Sequence, residues 1–373
     1  TTAANEERVF FVYFDVEDYL GNTKTVPTYA NEEVVFIAIS DNAGNLFHVI
    51  SNQNGSFEGV VDTTLGVSGT ARGVAVEDFD NDGDFDMISG DNAGYSVYFF
   101  EQTSSSPLTF AAGLKIGEVP TGADWVVGTS SADFNEDGLM DFTISESTLN
   151  KELYIFINNG TNGVGDPTFN ISKIDAGDAR SGNSYPREAD TTDFNNDGHI
   201  DIAWGDYYNQ IYIYLGNGDG TFADPTIVSN SLTQLADPYG IYAADFDGDN
   251  NSDILAAYGN NDNIYFYKGL GNGNFQNGQL WITQVSVGNY FAGDNYDFDE
   301  DGDQDIVFIT YIAANSVLLY FENNGTGNFT NTQNITYTYP AATLGVRTPF
   351  YQKKGIITQG YPEGKSNVLD LSS

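Results

Sequence analysis

The sequence contains no cysteine and only 2 histidines among its 373 residues. The absence of cysteine excludes disulfides, zinc–thiolate sites and cysteine nucleophiles. No apolar run approaches the roughly 18 residues that cross a bilayer, and no segment combines a helical period with helix caps. We therefore expect a protein with no membrane span and no covalent cross-links, built from elements other than helices.

Basic residues are also scarce, with 13 Lys and Arg against 53 Asp and Glu and a formal net charge of −40. Charge of this sign repels phosphate backbones and anionic lipid surfaces. The sequence also lacks a phosphate-binding loop, a nucleophile elbow and a zinc-protease helix. We expect no nucleic-acid partner, and no catalytic residue is assigned.

What the sequence has is one nonapeptide in five copies, which read DFDNDGDFD (78–86), DFNEDGLMD (133–141), DFNNDGHID (193–201), DFDGDNNSD (245–253) and DFDEDGDQD (297–305). Their first residues are 55, 60, 52 and 52 positions apart. Loops or turns ending in phenylalanine keep a similar spacing, at Phe57, Phe110, Phe169, Phe222, Phe275 and Phe329. Two markers with one period indicate a repeat protein, and a period of this length is typical of propellers or solenoids.

Each repeat contains four short β-rich runs, as in GVAVEDF, FDMISG, YSVYFF and LTFAAGLKI, bounded by Gly, Asn or Asp. Four-stranded antiparallel sheets at this spacing are typical of propeller blades. The pattern predicts an all-β protein in which residues 1–373 form a single β-propeller domain.

We predict seven blades, over residues 8–66, 67–120, 121–180, 181–235, 236–284, 285–340 and 341–373. In the first, FDVEDYLGN replaces the Asp-rich loop; in the last, Lys353 and Lys354 stand there and are expected to replace the ion. The last unit lacks a fourth strand, which the N-terminal segment TTAANEERV or a neighbouring molecule would supply. The alternative is six blades plus terminal extensions.

Each nonapeptide has the ligand pattern of a calcium loop. Oxygens at positions one, three and five point inward, glycine at position six permits the turn, and the carbonyl of position seven and Asp at nine complete the cage. Nitrogen and sulfur ligands are absent, and no Glu at position twelve supports an EF-hand. We predict about five Ca²⁺ sites, with ligands Asp78, Asp80, Asp82, Asp84, Asp86, Asp133, Asn135, Asp137, Leu139, Asp141, Asp193, Asn195, Asp197, His199, Asp201, Asp245, Asp247, Asp249, Asn251, Asp253, Asp297, Asp299, Asp301, Asp303 and Asp305.

Calcium dependence would also restrict the location of the protein. Cytosolic Ca²⁺ is scarce, whereas extracellular modules bind it at about 10⁻⁴ to 10⁻³ M. We therefore expect an extracellular or cell-surface protein whose stability depends on calcium.

The nonapeptides and the GNGDGTF-type turns together resemble the FG-GAP (VCBS-type) repeats of integrin α-subunit heads and of many secreted bacterial, archaeal and fungal proteins. The resemblance extends over roughly residues 10 to 360. It implies a seven-bladed propeller with Ca²⁺ between the first and second strands of several blades. It does not specify a function, because one fold serves many.

The blade ends opposite the predicted calcium loops are rich in aromatic and polar residues. Aromatic rings beside carboxylates and amides suit sugar hydroxyls. The candidate ligand-binding residues are Trp125, Tyr185, Arg187, Tyr207, Tyr208, Tyr239 and Tyr290.

These observations favour a non-enzymatic surface protein that serves adhesion, glycan binding or assembly of an extracellular layer or filament. Its expected partners are a glycan or a surface protein, with self-assembly through the terminal blade. The alternatives are a calcium-dependent, lyase-like enzyme acting on polysaccharide, which leaves enzymatic activity open, and the ligand-binding head of a larger surface protein.

Overall fold

A computed structural model describes residues 10–17, 23–30, 36–41, 46–50, 61–62, 71–91, 95–105, 108–119, 126–146, 153–174, 186–206, 210–228, 238–258, 263–282, 292–299, 301–312, 315–337 and 343–347. The chain divides into two compact units, residues 1–35 and 36–373. Every regular element among the described residues is a β-strand, so this part of the chain contains no apolar helix of membrane-spanning length.

The first unit contains one antiparallel hairpin. Strand β1 (Phe10–Glu17) pairs with β2 (Thr23–Ala30), and Phe10 lies opposite Ala30. FDVEDYLGN therefore belongs to β1 and the connection that follows it. The sequence interpretation placed this segment in a propeller blade, but its strand pairs with β2 in a separate two-stranded sheet.

The second unit begins with three strands, β3 (Phe36–Asp41), β4 (Leu46–Ile50) and β5 (Val61–Asp62), each paired antiparallel with the next. Five blades of four antiparallel strands follow along the chain. The first blade consists of β6 (Ala71–Glu77), β7 (Asp86–Asp91), β8 (Ser96–Phe100) and β11 (Leu114–Glu118). The small hairpin of β9 (Gln102–Ser105) and β10 (Leu108–Phe110) lies between its third and fourth strands in the chain.

The other four blades each use four consecutive strands. The second has β12 (Val126–Ala132), β13 (Asp141–Glu146), β14 (Leu153–Thr161) and β15 (Pro167–Ile174). The third has β16 (Pro186–Thr192), β17 (Asp201–Asp206), β18 (Ile211–Tyr214) and β19 (Thr226–Ile227). The fourth has β20 (Pro238–Ala244), β21 (Asp253–Tyr258), β22 (Asn263–Tyr267) and β23 (Gln279–Ile282). The fifth has β24 (Ala292–Tyr296), β25 (Asp305–Ile312), β26 (Asn315–Glu322) and β27 (Thr330–Tyr337).

The two ends of the second unit share one sheet. Strand β28 (Thr343–Arg347) pairs antiparallel with β3, which gives a composite sheet in the order β28, β3, β4, β5. The first strands of the five blades contact one another in chain order, and β28 contacts both β24 and β6. The ring of sheets is therefore closed within one chain.

The predicted blade count is wrong. Five blades of four antiparallel strands follow one another along the chain, which is neither the seven that we predicted nor the six of the alternative. The incomplete units predicted at the two ends contribute their strands to the same composite sheet. The N-terminal segment 1–9 and the segment with Lys353 and Lys354 lie outside the described residues.

The hydrophobic core lies between neighbouring sheets. One cluster joins Phe79 and Ile88 of the first blade to Phe142 and Phe156 of the second, and three further clusters join the second to the third, the third to the fourth and the fourth to the fifth. Successive side chains of a strand point to opposite faces, so each blade contributes to the clusters on both sides. Trp204, on β17, is fully buried.

The two repeating motifs of the sequence meet at three blade boundaries within the described residues. The N–H of Gly220, in the Asn/Gly turn of the third blade, donates to the carbonyl oxygen of Phe134 in the second blade's nonapeptide at 2.9 Å. The ring of Phe222, at the end of that turn, packs edge-on against Phe134, with centroids 5.6 Å apart. The same ring pairing links Phe194 with Phe275 and Phe246 with Phe329. The common period of the two motifs thus reflects docking of each turn on the preceding blade.

Replacing Phe246 by alanine should lower the free energy of unfolding by about 3–5 kcal/mol, because the fully buried ring fills the boundary between two blades. Urea unfolding measures the loss. The matched control is Leu270→Ala, at a side chain that is 48% exposed, which should change stability by no more than about 0.5 kcal/mol. Equal losses in the two variants would contradict the docking of turn on nonapeptide.

Candidate metal centres

The five nonapeptides, named here the first to fifth Asp loops, each join the first and second strands of a blade. The carboxylate of the Asp at position one accepts hydrogen bonds from backbone N–H groups at positions five and six of the same loop. In the second loop, its two carboxylate oxygens accept hydrogen bonds from the N–H groups of Asp137 at 3.1 Å and Gly138 at 2.8 Å. The other four loops repeat this pair of bonds.

Position six requires a left-handed backbone. Glycine supplies it in four loops, as at Gly138 with φ of 88°. In the fourth loop Asn250 occupies this position with φ of 64°, a conformation that asparagine adopts more readily than most residues. Gly248 stands two residues earlier, also with positive φ. The fourth loop therefore keeps the same turn despite its different sequence.

The Asp at position nine is fully buried in all five loops. In the second loop, Asp141 Oδ2 accepts from the N–H of Phe134 at 2.9 Å, and Oδ1 accepts from the N–H of Asn158 at 2.7 Å. One carboxylate thus connects the loop to a residue of the third strand. In the first loop, Asp86 Oδ1 accepts from Gln102 N–H at 2.9 Å, but Oδ2 has no hydrogen-bond partner among the described residues.

Carboxylate oxygens converge inside three of the loops. Groups whose oxygens all lie within 4.8 Å of one another, and which could hold a metal ion, are Asp78, Asp80 and Asp86; Asp245, Asp247 and Asp253; and Asp297, Asp299 and Asp305. A further such group joins Asp80 and Asp82 to Glu101, which lies outside the nonapeptide. In the second and third loops position three is asparagine, and the Asn135 amide donates to Asp137 at 2.9 Å.

Neighbouring loops also touch each other. Glu136, at position four of the second loop, contacts His199, at position seven of the third. At the corresponding positions, the Asn196 amide donates to Asn251 Oδ1 at 3.0 Å. The second, third and fourth Asp loops therefore form a connected row.

The sequence profile described as "FG-GAP-like repeat" matches residues 32–89, 78–144, 193–256 and 245–308. These matches cover more than half of the chain. The chain belongs to the FG-GAP-like repeat family. The family relationship that the sequence suggested is thus confirmed, and each of the five Asp loops lies whole within a match.

No curated protein sequence matches this FG-GAP-like chain. It is similar to a solved Agrocybe aegerita lectin, whose title describes recognition of non-reducing terminal N-acetylglucosamine, with 18% identity, TM-score 0.49 and coverage of 87% of this chain and 90% of that one. A Photorhabdus luminescens Tc holotoxin pore has 17% identity and TM-score 0.40, with 88% and 14% covered. The Chaetomium thermophilum Nup170 N-terminal domain, solved with Nup53, has 9% identity and TM-score 0.42, with 84% and 50% covered. Likenesses this weak carry no information about ligands.

Burial makes the negative charge in the FG-GAP-like loops unfavourable. It raises the pKa of Asp86 to about 9. In the first loop, burial and then the Asp82 carboxylate raise the pKa of Asp78 and of Asp84 to about 6. Burial likewise raises to about 7 the pKa of the position-nine residues Asp141, Asp201, Asp253 and Asp305. A bound cation would favour the charged forms of these groups.

The donor set fits a hard divalent cation. Four buried carboxylate oxygens of the loops have no hydrogen-bond partner among the described residues: Asp84 Oδ1, Asp86 Oδ2, Asp247 Oδ1 and Asp303 Oδ1. Such oxygens are the ligands that calcium and magnesium prefer, whereas zinc and copper favour nitrogen or sulfur. The Asp clusters could therefore hold a metal ion, with positions one, three, five and nine supplying oxygens.

The candidate ligand-binding residues remain predictions. Trp125, Tyr185, Tyr207, Tyr208 and Tyr290 lie outside the described residues. Arg187 and Tyr239 lie on β16 and β20, the first strands of two blades.

Sequence reasoning missed two residues that contact the loops from outside the nonapeptides, Glu101 and Lys268. Each follows an aromatic third strand, in YFFE (98–101) and YFYK (265–268). A charged residue directly after an aromatic strand, at the same place in two repeats, was the sequence signal that could have identified them.

The metal-free protein should lose stability as the pH rises from about 4 towards about 9. The position-nine carboxyls have folded pKa values of about 7, and about 9 for Asp86, against an ordinary value of 3.8 for Asp, so the folded chain binds more protons over this range. Thermal melts in chelator at several pH values measure the fall. Calcium-loaded protein is the control and should show a much flatter profile; a melting temperature in chelator that rises with pH would count against the account.

Proposed function

We propose that this FG-GAP-like chain is a calcium-stabilised binding propeller that acts outside the cell, in adhesion, glycan binding or assembly of an extracellular layer or filament. The Asp loops hold the ions, and the opposite blade ends offer the binding surface. Calcium acts here as a structural ion that neutralises the loops.

One observation carries the metal proposal. Asp86 is fully buried, its Oδ2 has no hydrogen-bond partner among the described residues, and its carboxylate lies within 4.8 Å of oxygens of Asp78 and Asp80. A buried oxygen without a donor costs about 1–3 kcal/mol, and more when it is charged. A bound cation removes that cost.

Calcium is the ion that best suits these loops. A short loop with several carboxylates and a backbone carbonyl provides the six to eight oxygens that Ca²⁺ takes, whereas Mg²⁺ demands stricter octahedral geometry and retains its waters. Proteins with FG-GAP repeats are typically extracellular or on the cell surface. Millimolar external Ca²⁺ would keep even weak sites of this kind occupied.

The partner that we propose is a glycan or a surface protein. A formal charge of −40 disfavours nucleic acid and anionic membranes. The aromatic and polar residues predicted at the blade ends, Trp125 and Tyr207 among them, suit stacking on sugar rings. Self-assembly is a further prediction, although β28 pairs with β3 in the same chain and completes that sheet without a neighbour.

The charge-removing variant Asp86→Asn tests the calcium proposal, because its effect on stability should have opposite signs in chelator and in calcium. In chelator the variant should be at least as stable as the parent, because it no longer buries a carboxylate with an unpaired oxygen. In millimolar calcium it should be less stable, because one ligand charge is lost. Melting temperatures measure both effects.

Asp219→Asn is the matched control, at an exposed turn outside the Asp loops. It should leave stability within about 0.5 kcal/mol under both conditions. The calcium proposal fails if the parent protein melts at the same temperature in chelator and in calcium.

Glycan-array binding tests the proposed ligand surface. Trp125→Ala and Tyr207→Ala should each reduce binding about fivefold or more, since stacking is worth about 1–3 kcal/mol per ring. Leu280→Ala, at a half-exposed position of β23, is the control and should bind normally. Absence of any glycan signal, together with polymers that disappear when residues 1–8 are deleted, would favour assembly over glycan recognition.

A further inference from the structure

One residue per blade occupies an equivalent place beside the Asp loop. In all five blades, Oδ1 of the position-nine Asp accepts a hydrogen bond of 2.7–2.9 Å from a backbone N–H within or shortly after the third strand. The five donors are Gln102, Asn158, Gly216, Gly269 and Asn323. The residue before each donor is here called the flanking residue. The flanking residues are Glu101, Ile157, Leu215, Lys268 and Glu322.

In the fourth blade the flanking residue brings a positive charge to the loop. Lys268 Nζ pairs with Asp247 Oδ2 and, at 2.7 Å, with Asp249 Oδ2. These carboxylates stand at positions three and five of the nonapeptide, where a cation would take its ligands. The Lys268 side chain is 28% exposed, so the pair lies partly within the protein.

In the first blade the flanking residue does the opposite. Glu101 places a carboxylate oxygen within 4.8 Å of oxygens of Asp80 and Asp82. The fully buried Asp86 Oδ2, which also faces Asp80, has no hydrogen-bond partner among the described residues. This orphaned acceptor points to a cation independently of the acidic cluster.

The second and third blades have apolar flanking residues. Ile157 and Leu215 lie against Gly220 and Gly273, in the turns of the following blades, and bring no charge to their loops. Flanking residues are therefore negative, neutral or positive in otherwise similar loops.

We propose that the flanking residue sets the calcium affinity of each Asp loop, and that Lys268 serves the fourth loop as a tethered cation in place of the ion. This inference rests on the proposed function. Removing or reversing one charge about 4 Å from a divalent ion changes the affinity for that ion by at least tenfold, even at an effective dielectric constant of about 20. The first loop, with the negative Glu101 beside it, binds calcium most tightly. The fourth loop, with the positive Lys268 beside it, binds calcium most weakly.

Calorimetric calcium titration of chelator-stripped protein tests the role of Lys268. Lys268→Gln should improve the affinity of one ion by at least tenfold, and adding Asp249→Asn should abolish that gain, which assigns it to the fourth loop. The control is Lys115→Gln, which removes the same charge from an exposed pair with Glu118 and should titrate like the parent.

The reciprocal variant Glu101→Lys tests the first loop. It should lower the affinity for one tightly bound calcium ion by at least tenfold. Native mass spectrometry at limiting calcium should then count one bound ion fewer. Its melting temperature in excess calcium checks that it folds, and Glu101→Gln, which cannot form the tethered pair, should give a smaller loss of the same sign.

The outcomes separate the two proposals. If the parent binds calcium but Lys268→Gln and Glu101→Lys titrate like it, the flanking residue does not set affinity, while the proposed calcium sites stand. If neither the parent nor any variant binds calcium, the proposed function fails and this inference falls with it.

Discussion

Burial of like charge in the Asp loops is the constraint on which the rest of the structure depends. The position-nine carboxylate is fully buried in each loop, and the same nonapeptide contains two to four further aspartates. The same carboxylate accepts a hydrogen bond from the N–H of a residue within or shortly after the third strand and, in four loops, from the N–H of the phenylalanine at position two. The geometry that builds the blade therefore also concentrates acidic groups that a bound cation would neutralise.

The Asp loops also take part in the contacts between neighbouring blades. The phenylalanine that follows the first Asp of a loop packs against the turn of the next blade, as Phe134 does with Phe222. Because each sheet touches only its neighbours in the ring, stability is close to a sum of such local terms. The composite sheet adds a closure in which β28 pairs with a strand some 300 positions away.

The part of this fold that sequence could predict is the local part. The five nonapeptides and the four strands per blade follow from spacing and turn chemistry, whereas the place of the nonapeptides between first and second strands was implied by the family resemblance. The blade count does not, because it depends on β28 pairing with β3. Each end looked like an incomplete blade of its own, and short strands do not reveal a distant partner. The N-terminal hairpin was also mistaken for part of a blade, since FDVEDYLGN has the acidic and aromatic residues of a loop.

The candidate site was predictable for a similar reason and to a similar extent. Positions one to nine were found because their residue types repeat. Lys268 and Glu101 were missed because they differ in sign, so no repeat marks them, and only the fold shows that they stand at the same place. A tethered cation was instead expected at Lys353 and Lys354, outside the described residues.

The central claim is that divalent ions neutralise the Asp loops, and an experimental structure determined in millimolar calcium tests it most directly. The account predicts metal density in the first loop, about 2.3–2.6 Å from oxygens that include Asp86 Oδ2. Density showing Asp86 Oδ2 hydrogen-bonded to protein or water, with no ion in any Asp loop, would contradict it.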